Sequence, residues 1–319
     1  MKPRALVVSL AAVLAASCSK STPAADVSPT SGANAMQAIV ASVDLYVNAP
    51  QRVLVGLPFA NGTLVSYGTV SFAFSYTGTA ASSSAPQPGP SATATYVPTP
   101  GTPDGAGSGP SVTQPSAARG LYEASGVTFD KAGFWEVVVT AEVVGVGTQT
   151  ARAALSVAEQ PSLPAPDQPA LKTDNLTMSS KGVPQAAIDS RFATDGKIPD
   201  PELHRWTIAD AIAQHRPALV VFGTPVYCTS RFCGPVTDLV GSLAAKYADR
   251  AVFIHVEIWR DFQKQVINQA AADWLYRNGD LTEPWVYLIG ADGKILDRWS
   301  SLMSEQEVGA ELQQLPPMK

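Results

Sequence analysis

The chain has 319 residues, and its 22 Lys and Arg against 27 Asp and Glu leave a formal charge of −5. Charged residues make up only 15%, and no basic block is present that would neutralise phosphates, which argues against nucleic-acid binding. Three histidines are too few for a His-rich metal store, and the length suits two domains better than three.

The first residues, MKPRALVVSLAAVLAASC, begin with basic Lys2 and Arg4 and continue into an apolar run too short to span a bilayer. This is the layout of an export signal, expected over residues 1–17. LAASC at 14–18 resembles the bacterial lipobox, whose cysteine is lipidated and becomes the new N-terminus. The resemblance implies lipidation at Cys18 and a membrane-anchored, extracytoplasmic protein. Leu14 stands one position farther from Cys18 than the usual leucine, so cleavage by an ordinary signal peptidase is the alternative. Export places the later cysteines in an oxidising compartment, where a disulfide is permitted. Residues 18–35, small and polar, read as a flexible tether.

Residues 36–159 are β-rich. Alternation in AIVASVDLYV (38–47), TVSFAFSY (69–76) and FWEVVVTAEVV (134–144) predicts strands with one buried face. TQTARAALSVA (148–158) reads as a last strand, reached through the turn Gly145-Val146-Gly147. No helical pattern intervenes, so an antiparallel sandwich is expected. TFDKAGFWEVVV (128–139) resembles the corner entering a late strand of immunoglobulin-like domains, and implies that fold. Residues 78–119, dense in Pro, Gly, Ser and Thr, read as a disordered loop that buries no core. Residues 160–185 read as a Pro-rich, extended linker.

From residue 186 to 319 helix and strand signals alternate. Thr207 and Asp210 cap a short helix, and PALVVFGT (217–224) reads as a buried strand. Gly234 and Pro235 open a helix carrying Val236, Leu239, Val240, Leu243, Ala244 and Tyr247 at helical spacing. AVFIHVEIW (251–259) is the next strand and residues 261–277 a further helix. WVYLI and KILDRW flank the hairpin signal Ala291-Asp292-Gly293, and Ser304 with Glu307 forms a capping box for a last helix.

Cys228 and Cys233 lie where the buried strand hands over to the helix opened by Gly234 and Pro235. Free N–H groups and partial positive charge at a helix N-terminus favour a thiolate, so the pair points to thiol–disulfide chemistry. A five-residue offset turns about 140° on a continuous helix, which places Cys228 in the loop and Cys233 near the helix start. The pair closes if the Cα atoms come within about 7 Å. His255 and Glu257 share one face of the following strand.

The order of elements, together with FCGPV (232–236), resembles the thioredoxin-like superfamily, in which an aromatic residue precedes Cys-Gly-Pro-Cys. The resemblance spans residues 186–319 and is similar to the membrane-anchored thiol–disulfide oxidoreductases of bacteria. It implies an α/β thioredoxin-like fold there, so the expected chain has two domains, an all-β immunoglobulin-like sandwich followed by that fold. It also implies exchange of disulfides with exported proteins bearing thiols or disulfides, with no cofactor. Pro284 falls where that family keeps a cis-proline facing the active-site cysteine. The spacing departs from the family as Cys-x4-Cys, and Val236 stands in place of its second cysteine. Val221 stands where that family commonly buries an Asp, so Glu257 is expected to take over as proton acceptor. Cys228 is expected to attack and Cys233 to resolve, although the Gly-Pro helix start beside Cys233 leaves the reverse open.

Other chemistries compete. A structural bridge is one, though so short a loop removes little chain entropy. The fold also resembles Sco-type copper chaperones, which implies Cu(I) held by Cys228, Cys233 and His255, since soft thiolates suit that ion. That family spaces its cysteines by three residues. Resemblance to peroxiredoxins fails on position, because Thr224 is one residue too far from Cys228 and Arg231 is the only close arginine. A non-catalytic envelope binding module is the remaining reading. His204 and His215 read as surface residues.

Overall fold

The computed structural model describes residues 35–103, 105, 109–192 and 196–318. The export signal, Cys18 and all but the last residue of the expected tether lie outside them. Among the described residues no helix is long and apolar enough to cross a membrane.

The first half is built on seven antiparallel strands in the order β1-β2-β7-β5-β4-β8-β9. These are β1 (Ile39–Val40), β2 (Gln51–Gly56), β4 (Thr69–Gly78), β5 (Ser83–Pro98), β7 (Gly120–Val127), β8 (Gly133–Val143) and β9 (Gly147–Val157), while β3 (Leu64–Ser66) and β6 (Ser111–Thr113) form a small side ladder. Alternation gives this sheet its buried face. On β4, Val70, Phe72 and Phe74 point inward, and on β8 Trp135, Val137, Val139, Ala141 and Val143 do the same. The sheet nearly closes on itself. Val47 N–H donates to Ala158 O at 3.1 Å, and Ala158 N–H donates to Leu45 O at 2.9 Å, so the chain after β1 meets the end of β9. The β8–β9 turn needs positive φ at Gly145 and Gly147, at 77° and 90°.

The disordered loop expected over 78–119 is corrected where it is described, because Ser83–Pro98 forms β5 and Ser111–Thr113 forms β6, while 104 and 106–108 lie outside the described residues. Pro86, Pro88 and Pro90 sit in the half of β5 that pairs only with β4, while β7 joins from Thr95 onward. A strand with one partner has no use for every N–H, which is where proline is tolerated. Gly120 opens β7 beside β5. An added Cβ there would run into Val97 O and the Tyr96 ring. Gly120→Ala should therefore cost roughly 1–3 kcal/mol as overpacking, read as a fall in denaturation midpoint at unchanged slope.

After residue 160 the chain packs on the C-terminal half rather than running free as a linker. Leu163, Ala165 and Ala170 of the expected linker are buried, and Ala170 N–H donates to Gly293 O at 2.9 Å. The second sheet has four strands in the order β11-β10-β16-β17, namely β10 (Ala218–Phe222), β11 (Val252–Val256), β16 (Trp285–Ile289) and β17 (Ile295–Ser300). Only β10 and β11 run parallel. β10 and β16 are buried along their whole length, as continuous apolar runs require. On β10, Leu219 and Val221 face one core, and Ala218, Val220 and Phe222 face the other.

The helices are α1 (Ile208–Ala213), α2 (Cys233–Lys246), α3 (Gln269–Leu275) and α4 (Glu305–Gln314). Thr207 Oγ1 accepts from Asp210 N–H at 3.0 Å, and Ser304 Oγ from Glu307 N–H at 3.1 Å, so both N-caps form. The Glu307 carboxylate turns to Arg52 instead of closing its capping box.

These elements overturn the expected fold class. The N-terminal half is one sheet whose edges nearly meet, not an immunoglobulin-like sandwich of two stacked sheets. The described residues are mostly β, 39% strand against 16% helix, and among them no α/β thioredoxin-like C-terminal domain is evident. The expected helix over 261–277 shows the physical reason. Arg260 to Gln265 carry only one apolar residue, Phe262, and Gln265 takes a φ of 55°. The segment turns back as the ladder of β12 (Trp259–Asp261) and β13 (Val266–Ile267), and only α3 remains helical, ahead of the short pair β14 (Tyr276–Arg277) and β15 (Asp280–Leu281).

The two halves share a core. Leu54, Val97 and Leu121 on the outside of the first sheet join Leu219, Val236, Leu243 and Val308 in one cluster. Arg298 on β17 reaches across to Asp44, its Nη1 at 2.7 Å from Oδ2, with both side chains almost wholly buried. Arg52 on β2 reaches the other way, to Asp297 at 2.6 Å and to Glu307, with its guanidinium 5.0 Å from the Trp299 ring centre.

Candidate functional site

The site forms where β10 ends and α2 begins. Cys233 is the first residue of α2 and fully buried, while Cys228 lies in the preceding loop and is partly exposed. The two are joined in a disulfide with Cα atoms 6.0 Å apart. Arg231 at the loop's turn has a φ of 65°, in the left-handed region that costs any residue bearing a Cβ energy and is held by its surroundings. Cys228 Sγ receives two donors: Cys233 N–H, a free N–H of the helix's first turn, at 3.4 Å, and Ser230 Oγ at 3.2 Å. Exposure and these donors favour thiolate at Cys228 once the bond opens. Cys233 has neither advantage.

Gly223 follows β10 directly. A Cβ there would lie 3.3 Å from Cys233 Cβ and 3.5 Å from Pro284 Cβ, so its bare backbone lets both residues pack close. The Glu283–Pro284 peptide bond is cis, and Pro284 is buried at the head of β16. Glu283 points to the sulfurs: Cys228, Cys233 and Glu283 each offer a ligand-type atom, all within 4.8 Å of one another. Thr224 N–H donates to Glu283 Oε2 at 2.7 Å. Burial, opposed by that bond and reinforced by nearby Glu257, pushes the Glu283 carboxyl up to about 7. Tyr227 stacks on Phe262 with ring centres 3.9 Å apart, forming an aromatic flank to the loop.

His255 and Glu257 do share a face, but it is turned toward residues 189 and 190. Glu257 accepts from Ser190 N–H at 2.8 Å and Trp259 N–H at 3.2 Å, and burial raises its carboxyl above the usual range. It does not join the cysteines. His255 Nε2 lies 2.9 Å from Gly223 O and its Nδ1 3.4 Å from Asp189 Oδ2. Its two nitrogens thus engage groups other than sulfur, and the set Cys228, Cys233 and His255 is not gathered at one point. His204, expected at the surface, is fully buried, with Nε2 3.2 Å from Asp189 Oδ2; His215 is exposed.

Asp189 is the hub beneath the loop. Arg191 forks onto both its oxygens, at 3.1 Å from Oδ1 and 2.7 Å from Oδ2, while His204 and His255 crowd Oδ2. Despite burial, these partners hold its carboxyl well below the usual carboxylate range. His255 is raised above the usual histidine value because Asp189 outweighs burial, whereas burial prevails for His204 and lowers it. Asp189, His204 and His255 have metal-ligating geometry among themselves, but the guanidinium of Arg191 already supplies the cation. Ser190 Oγ accepts from Val226 N–H at 3.3 Å, so this irregular segment also fixes the loop that carries Cys228.

Sequence reasoning placed the cysteine pair and Pro284 but missed Glu283, Asp189 and His204. Glu283 had one signal, its adjacency to Pro284. Asp189 had none, since it lies in a stretch without periodicity. Comparison with models of protein families, with characterised proteins and with solved structures finds no match to this chain.

Proposed function

We propose that this is an exported protein, anchored through a lipid on Cys18, that exchanges disulfides with other exported proteins through Cys228 and Cys233. The observation that carries the reading is the disulfide itself, which links a partly exposed loop sulfur to the buried first residue of a helix. In such a pair one sulfur is open to attack and the other is shielded, the asymmetry that exchange through a mixed disulfide uses. The aromatic flank of Tyr227 and Phe262 supports a polypeptide partner over a small thiol. Pro284 and Gly223 shape the wall against which the partner's backbone would lie.

A redox titration tests this. Thiols are alkylated and counted by mass in the intact protein at each poise. A midpoint above roughly −250 mV is expected, as for pairs built to exchange; one below about −300 mV would mark a structural bridge and remove the enzymatic reading.

A further inference from the structure

We propose that Glu283 is the acid–base partner of the buried thiol, passing one proton to and from the sulfur of Cys233 during disulfide exchange. This rests on the exchange reading above.

Three observations meet at this residue. A Glu283 oxygen lies within 4.8 Å of both sulfurs, a gap that one water closes. Cys233 is fully buried, so a thiolate formed there has no bulk water to stabilise it and needs a proton at hand. The carboxyl is held in place by Thr224 N–H. The groups that act on it are Glu257 and His255 from the end of β11 and Thr224 from the loop after β10, besides the cysteines themselves. With the carboxyl raised to about 7, both of its protonation states are populated near neutrality, as a two-way carrier requires. Glu257 is unsuited, since its oxygens serve Ser190 and Trp259 and it lies outside the sulfur cluster.

A substrate thiolate attacks Cys228 Sγ and forms a mixed disulfide. The Cys228–Cys233 bond breaks, its electron pair stays on Cys233, and the proton of the Glu283 carboxyl moves to that sulfur. A second substrate thiolate then attacks the mixed disulfide, releasing Cys228 as thiolate. The substrate leaves as a disulfide and the protein keeps two electrons as a dithiol. In reverse, the Glu283 carboxylate takes the Cys233 proton before Cys233 attacks the mixed disulfide on Cys228.

The test is stopped-flow exchange between the intact protein and a dithiol peptide from about pH 5 to 9, in wild type, Glu283→Gln and Glu283→Asp. Gln keeps an oxygen for Thr224 N–H. It should lower the rate at neutral pH at least tenfold and erase the inflection near pH 7, a loss in the range of a removed general acid. Asp should restore part of the rate and keep an inflection, and either variant alone decides if the other fails to fold. Exchange at full rate with an unchanged pH profile in Glu283→Gln, or in Glu283→Asp no inflection at all, overturns the role of Glu283 while leaving exchange intact. A wild type that exchanges nothing overturns both.

Discussion

Replacing Cys228 by serine should reduce disulfide exchange to the uncatalysed background, a loss on the order of 10³-fold or more. Cys228 carries the exposed sulfur of the pair, and both nearby donors, Cys233 N–H and Ser230 Oγ, point at it. Cys233→Ser should behave differently. The first attack survives, the resolving thiol is gone, and the protein accumulates as a covalent adduct with its partner, visible by mass under non-reducing conditions. If Cys233 were the attacker, the adduct would accumulate in Cys228→Ser instead. Unfolding does not account for these losses. The bridge closes so short a loop that its removal costs only about 2 kcal/mol by the chain-entropy estimate. Equal thermal unfolding of both variants, with activity lost in both and the adduct in only one, is the expected pattern.

Asp189→Ala should cost on the order of 3–5 kcal/mol, because it strips the counter-charge from a buried cluster. Arg191 retains Asp200 and Asp238, each at 2.9 Å, but His255 is left without its acid, deep in the structure. The sign with pH follows from the two groups. The Asp189 carboxyl is depressed, so its contribution is present above the unfolded value near 4 and is lost as pH falls through the folded one. His255 is raised, so its contribution is complete below about 6.5 and disappears as pH rises through its folded value. The stability gap between wild type and Asp189→Ala should therefore be widest between about pH 4 and 6.5 and narrow above it. Urea titrations at several pH values measure this directly, and a gap that widens toward pH 9 would contradict it.

The sequence by itself determined what short-range chemistry can determine. Period-two alternation marked β4, β8 and β9, the unbroken apolar run marked β10, and Thr207 and Ser304 marked two helix starts, because each signal resides in neighbouring residues. Two cysteines in one loop before a helix were enough to single out the chemically distinctive place in the chain.

Tertiary structure alone decided the rest. Alternation specifies that a strand has a buried face, but not whether strands stack as two sheets or curl into one. That depended on Ala158 meeting the chain at Leu45 and Val47. Composition could not reveal that a proline-rich stretch lies along β4 as a long strand, because proline's missing N–H matters only once the neighbour on that side is known. The same holds at the site. Glu283 lies 50 and 55 positions from the two cysteines, and Asp189 lies 15 and 66 positions from His204 and His255, and burial among those partners, not residue type, is what moves their protons.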